Sequence, residues 1–124
     1  MTKKNRVVVS IEANAINRYM IKSLLESDGY SVHDADSKKS GLELLDTVVP
    51  DAILIDLHMP GVDGYAITQH IRTIHGLANT PIIALTTHVG IEGYSKNAIS
   101  GCDGCIQKPI NAQLFLNNLS KFLT

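Results

Sequence analysis

Short, almost wholly apolar runs alternate along this chain with longer segments of helical periodicity, and that alternation admits few folds. A run such as Val7-Val8-Val9-Ser10-Ile11 offers no polar face, so it suits a strand buried on both sides. Such strands belong to parallel sheets, where crossover helices cover both faces. Ala52-Ile53-Leu54-Ile55 and Pro81 to Leu85 have the same character, and Cys105-Ile106-Gln107 is a shorter version. A weaker strand is expected around Ser31 to Ala35.

The intervening segments read as helices. Asn14 is a good N-cap for the first, with Ile16, Met20 and Leu24 expected on its inward face and Gly29 at its stop. The second runs from about Lys38 to Val48, turns Leu42, Leu45 and Val49 inward, and ends at Pro50. Ile67, Ile71 and Ile74 mark the third. Ile91 to Ser100 is a poorly patterned helix, and the last is capped by Asn111 with a stripe of Phe115, Leu119 and Phe122. The expectation is an α/β domain: a doubly wound, five-stranded parallel sheet with helices on both faces and strand order 2-1-3-4-5.

A chain of 124 residues argues for one domain spanning residues 1–124 and can bury a core without metal or disulfide staples. It ends about where the last helix should end, so no effector domain is visible. The formal net charge is -1, with 11 basic and 12 acidic residues, and no basic face speaks for direct nucleic-acid binding. The apolar runs fall far short of the ~20 residues that span a bilayer, and the start is not a signal peptide. Two cysteines without an export signal suit a reducing, cytoplasmic setting.

In the expected order the first and third strands are neighbours at the switch point, and ligands bind outside the carboxyl ends of the strands there. Glu12, Asp56, Thr86 and Lys108 follow or end four of those strands. Asp56 reads either as a solvated loop acid or as a carboxylate nucleophile or metal ligand, and its location favours the second. The following Leu57-His58-Met59-Pro60-Gly61-Val62-Asp63-Gly64 supplies a turn whose backbone carbonyls reach the same pocket.

Four segments together make the chain resemble the receiver domain of two-component response regulators, particularly receivers attached to hybrid sensor kinases. They are Asn14-Ala15-Ile16-Asn17-Arg18, Asp56 through Gly64, Pro81 through Thr86, and Gly101 through Pro109. The resemblance covers essentially the whole chain and implies a flavodoxin-like fold and a phosphorelay role. Asp56 would accept a phosphoryl group from a partner histidine kinase or histidine phosphotransfer protein. Mg²⁺ would be held by Glu12, Asp56 and the backbone carbonyl of His58. Lys108 would pair with phosphoryl oxygens, Thr86 would donate a hydroxyl hydrogen bond, and Lys108-Pro109 would be a cis peptide. Such a domain modifies itself rather than turning over a substrate. The surface of the fourth and fifth elements would be the usual partner face, and a homodimer is left open.

The chain departs from the family pattern in three places. Glu12-Ala13 stands where the family usually has two acids, which would weaken Mg²⁺ binding: a unit charge near ~4 Å is worth a few kcal/mol even at an effective dielectric of ~20. Cys105 stands where an aromatic residue usually couples to the threonine, and Thr87 where a small residue is frequent. The alternative is therefore a pseudo-receiver, the same fold used as an interaction module without phosphorylation. A phosphatase of similar sheet would want a second acid where His58 stands, and a flavin module would be repelled by Glu12. Cys102-Asp103-Gly104-Cys105 lies between a helix end and a strand and lacks a second ligand pair, so it reads as one loop and one buried cysteine. His58 and His88, in loops beside the pocket, read as modulators of access or of the phosphate's lifetime or, the favoured reading, as ordinary loop histidines, and Tyr94 reads either as a partner contact or as a half-buried helix residue.

Overall fold

The computed structural model describes residues 6–57, 59, 64–86 and 102–123. Five strands lie in one parallel sheet: β1 (Val7–Ile11), β2 (Ser31–Ala35), β3 (Ala52–Asp56), β4 (Ile82–Thr86) and β5 (Gly104–Gln107). Their order is β2-β1-β3-β4-β5, as the alternation implied. Four described helices accompany them: α1 (Ala15–Ser27), α2 (Lys38–Leu45), α3 (Gly64–Arg72) and α4 (Ala112–Ser120). The expected helix at Ile91 to Ser100 lies outside the described residues, as do Thr87, His88 and Tyr94.

The continuous apolar runs are explained by two cores, one on each face. Successive strand residues point to opposite faces. Val8, Ala52, Leu54, Ile83, Leu85 and Ile106 meet Ile21 and Leu25 of α1 and Phe115 and Leu119 of α4. Val9, Ile11, Ile53, Ile55 and Ile82 meet Leu45 of α2 and Ile67 and Ile71 of α3. Gly41 of α2 lies so close to β1 that a Cβ there would sit 2.5 Å from Ile11 Cδ1. The missing side chain at Gly41 lets α2 pack this closely on the sheet.

The helix termini follow their sequence signals. Asn14 Oδ1 accepts from Asn17 N at 2.9 Å, and Asn111 Oδ1 from Leu114 N at 3.0 Å. Gly29 takes a positive φ of 98° just after α1, a conformation that favours glycine. Three expectations on helix faces need correction. The buried face of α1 is Ile21 and Leu25, whereas Ile16 is 76% exposed and Met20 and Leu24 are half-buried. The apolar residues of α1 exceed what one face can bury, so periodicity selected the wrong neighbouring row. Helix α2 stops at Leu45, before the expected Val48, and Val49 is exposed in the connection to Pro50. Ile74 and Phe122 pack partly against the cores from beyond the ends of α3 and α4, not from within them.

At the amino ends of the strands, side chains tie the connections down. Asp51 Oδ2 accepts from Val7 N at 2.7 Å. Asp103 Oδ2 accepts from Ile82 N and pairs with Arg72, each at 2.8 Å. Arg72 also donates to the carbonyls of Leu77 and Thr80. The opposite, carboxyl ends are left to build the site.

Candidate functional site

Strand pairing brings the chemistry together. Ile11 of β1 is level with Ile55 of β3, so the next residues, Glu12 and Asp56, emerge side by side. Glu12 is fully buried and Asp56 nearly so. Lys108 follows β5, where its backbone N donates to Thr86 O at 2.8 Å. Its side chain crosses to the two acids: Nζ lies 2.9 Å from Glu12 Oε1 and 3.2 Å from Asp56 Oδ1. The Lys108-Pro109 peptide is cis, as expected.

Glu12 is also held from its own loop, because Asn14 N donates to Oε2 at 2.9 Å. Burial pushes the Glu12 carboxyl above its ordinary value of 4.5. The Asn14 amide and Lys108 pull it down, and Asp56 pushes it up again, so the net direction is upward. An open hollow of about 600 Å³ adjoins these groups, lined by Glu12, Ala13, Asn14, Asn17, Asp56, Lys108 and Pro109. The two acids and the ammonium therefore stand at a mouth open to solvent.

Of the residues singled out in the sequence, Glu12, Asp56 and Lys108 converge. Thr86 ends β4 and is fully buried, and it is not among the residues lining the hollow. His58 lies outside the described residues, with most of the turn after Asp56. Ala13 is among the residues lining the hollow. Both cysteines are free and half-buried: Cys102 lies in the loop before β5, as expected, while Cys105, in β5, is not the fully buried thiol expected. Burial raises both thiol pKa values, that of Cys102 to about 11, the opposite of an activated thiol. Among the described residues, no group of three His, Cys, Asp or Glu side chains could hold a metal ion.

Sequence reasoning missed two contributors. Asn17 lines the hollow one turn into α1, and Arg18 folds back onto the loop after β1. The signal for both was the N-cap at Asn14, since residues three and four places on return to the same helix face.

A hard divalent cation at the hollow would have two carboxylates to bind. Glu12 and Asp56 offer carboxylate oxygens, and when both are ionised Lys108 leaves one negative charge uncompensated. Mg²⁺ commonly uses one or two carboxylates and keeps several waters, so this donor set fits it.

A doubly wound domain with two acids and a lysine at its switch point has a charged site where such sheets bind their ligands. The family model for the response regulator receiver domain matches residues 8–120, and the chain belongs to that family, a part of two-component signal transduction. It is 31% identical over 126 residues to the polar-differentiation response regulator DivK of Brucella ovis, covering 99% of this chain and 98% of DivK. The fold matches chemotaxis response regulator CheY4 of Vibrio cholerae with a TM-score of 0.89 at 26% identity, over 97% of this chain and 100% of that one. It also matches the receiver domain of sensor histidine kinase PA1611 of Pseudomonas aeruginosa with a TM-score of 0.85 at 28% identity. That match covers 96% of this chain and 98% of the other, whose active-site cleft coordinates a magnesium ion. No helix among the described residues is long and apolar enough to cross a membrane.

Proposed function

We propose that residues 1–124 form a single receiver domain that accepts a phosphoryl group on Asp56 from a phosphohistidine of a histidine kinase or phosphotransfer protein. The observation that carries this reading is the Lys108 ammonium within 2.9 Å of Glu12 and 3.2 Å of Asp56, at the mouth of an open hollow. A carboxylate oxygen of Asp56 attacks phosphorus, the P–N bond to the donor imidazole breaks, and its electron pair returns to nitrogen. The product is an acyl phosphate. Such a transfer depends mainly on positioning and on neutralising charge.

Asp56 is the nucleophile. Lys108 is a point charge that meets the incoming phosphoryl oxygens and keeps Glu12 compensated. Mg²⁺, held by Glu12, Asp56 and the backbone carbonyl of His58, would supply further positive charge to the transferring oxygens. Thr86 would donate its hydroxyl to the phosphate, and because it is fully buried the end of β4 must rearrange for it to do so. The added ~1.5 to 2 negative charges provide the incentive.

Helix α1 supports a docking position for the donor. Ile16 and Tyr19 are 76% and 75% exposed on the helix whose Asn17, together with its cap Asn14, lines the hollow. A partner seated on them would bring its phosphohistidine over Asp56.

Ala13 favours a second reading, the pseudo-receiver, because its methyl leaves cation binding to fewer charges. One experiment separates the two: intact-mass spectrometry after incubation with a small phosphodonor, with and without Mg²⁺, on wild type and Asp56→Asn. One metal-dependent phosphoryl adduct that is lost in Asp56→Asn is expected. An adduct that persists in the variant would remove Asp56 from its role. No adduct on folded wild type, from a phosphodonor or from phosphorylated kinases, would leave the pseudo-receiver.

A further inference from the structure

Arg18 has no part in the transfer just described, yet its side chain bonds twice to the loop after β1. Its NH1 donates to Glu12 O at 3.0 Å and to Ala13 O at 3.2 Å. Its Nε lies 4.0 Å from Asp34 Oδ2 on β2. Both side chains of that pair are about a quarter exposed, at 24% and 29%. The guanidinium thus joins three points: the first helical turn, the second strand, and two successive carbonyls of the loop that presents Glu12.

We infer that Arg18 is a positioning residue, which sets the orientation of the Glu12 carboxylate by fixing the two peptide units behind it. The inference rests on the reading of Glu12 as a cation ligand. The loop has one acid where the family usually has two, so a single carboxylate must be correctly aimed. Besides the Lys108 ammonium at Oε1, four hydrogen bonds determine where it points. Asn14 N donates to Oε2, Glu12 N donates to Ala35 O at 3.0 Å, and Arg18 pins the Glu12 and Ala13 carbonyls. If the Ala13–Asn14 peptide turns, Asn14 N leaves Oε2 and the carboxylate loses its anchor.

The chemistry requires arginine. A guanidinium presents several donors in a rigid plane and serves two carbonyls and a carboxylate at once. An ammonium is a compact point charge on a flexible stem and holds no such fork. Lysine at position 18 would keep the charge and lose the geometry. Arg18 acts through Glu12, whose carbonyl it binds.

The test compares Arg18→Met and Arg18→Lys with wild type in the intact chain, by NMR. Three quantities are read: hydrogen exchange of the Asn14 amide, exchange of core amides such as that of Leu54, and the Mg²⁺ concentration that half-saturates the shifts of residues 12–14. Outer contacts of this kind typically change metal affinity by roughly tenfold to a hundredfold. Both variants should speed Asn14 exchange at least about tenfold, raise half-saturating Mg²⁺ by about tenfold, and leave core exchange unchanged. Full rescue by lysine, or an unchanged Asn14 amide in Arg18→Met, would overturn the inference. So would acceleration spread evenly over the core, which marks a merely structural residue. If wild type takes no phosphoryl group, the proposed function fails while Asn14 exchange still decides the role of Arg18. If wild type also shows no Mg²⁺ shifts, that exchange decides it alone.

Discussion

Replacing Lys108 by methionine keeps the length of the side chain and removes the one ammonium that Glu12 and Asp56 share. In the wild type both carboxylates are buried and Nζ sits 2.9 and 3.2 Å from them, with the lysine side chain only 12% exposed. Removing one partner of a buried ion pair typically costs about 3–5 kcal/mol, because the other charge is left uncompensated. The hollow opens to solvent, which places this case near the lower end, about 3 kcal/mol. For a domain of this size that corresponds to a fall in Tm of roughly 10 °C. The loss depends on pH, with a sign set by Glu12. Its carboxyl already titrates above 4.5 in the folded protein, chiefly through burial, and Lys108 is one of the groups that hold it down. Without the lysine the folded-state pKa rises further. A native carboxyl that binds its proton more tightly than the unfolded one contributes stability that is fully present below 4.5 and lost as pH rises through the folded value. The variant should therefore be closer to wild type at about pH 5 than at about pH 7.5. Urea denaturation of both proteins in chelator, at the two pH values, measures this. A loss below about 1 kcal/mol at the higher pH, or an equal loss at both, would refute the argument, since an exposed pair is worth no more than that.

Two further perturbations address Ala13, a departure from the family pattern, and the burial of Cys102. Ala13→Asp adds a carboxylate to the lining of the hollow and should tighten Mg²⁺ at least about tenfold in a metal titration; unchanged binding would mean the new acid does not reach the cation. Cys102 alkylation by iodoacetamide should be slow near neutrality and climb about tenfold per pH unit toward about 11, where its burial-raised pKa lies. A plateau near the ordinary thiol range would show that the thiol is solvated.

Much of the fold was legible because each strand carries its own evidence. Val7–Ile11 and Ala52–Asp56 lack a polar face, and only a sheet covered on both sides can bury them. The caps at Asn14 and Asn111 and the stop at Gly29 act within a few residues of themselves, so sequence determines them locally. Asp56 was legible too, as an acid delivered by such a strand.

What the sequence left open depends on contacts between distant segments. Ile16, Met20 and Leu24 are as apolar as Ile21 and Leu25, and only the position of α1 against the sheet and α4 decides which row is buried. Thr86 ends a strand as expected, but its depth below the hollow follows from the register of β4 with β3 and β5. Arg18 was legible only as part of the segment that opens α1, and its bonds to the Glu12 and Ala13 carbonyls exist because α1 packs beside the loop after β1. The sequence by itself determined the sheet, its helices and the acid at its switch point, because local apolar periodicity and capping encode those. The tertiary structure decided that Lys108, fifty-two residues beyond Asp56, compensates both acids at once. That pairing depends on how five strands align at their carboxyl ends, and Coulomb attraction is strong only at contact distance.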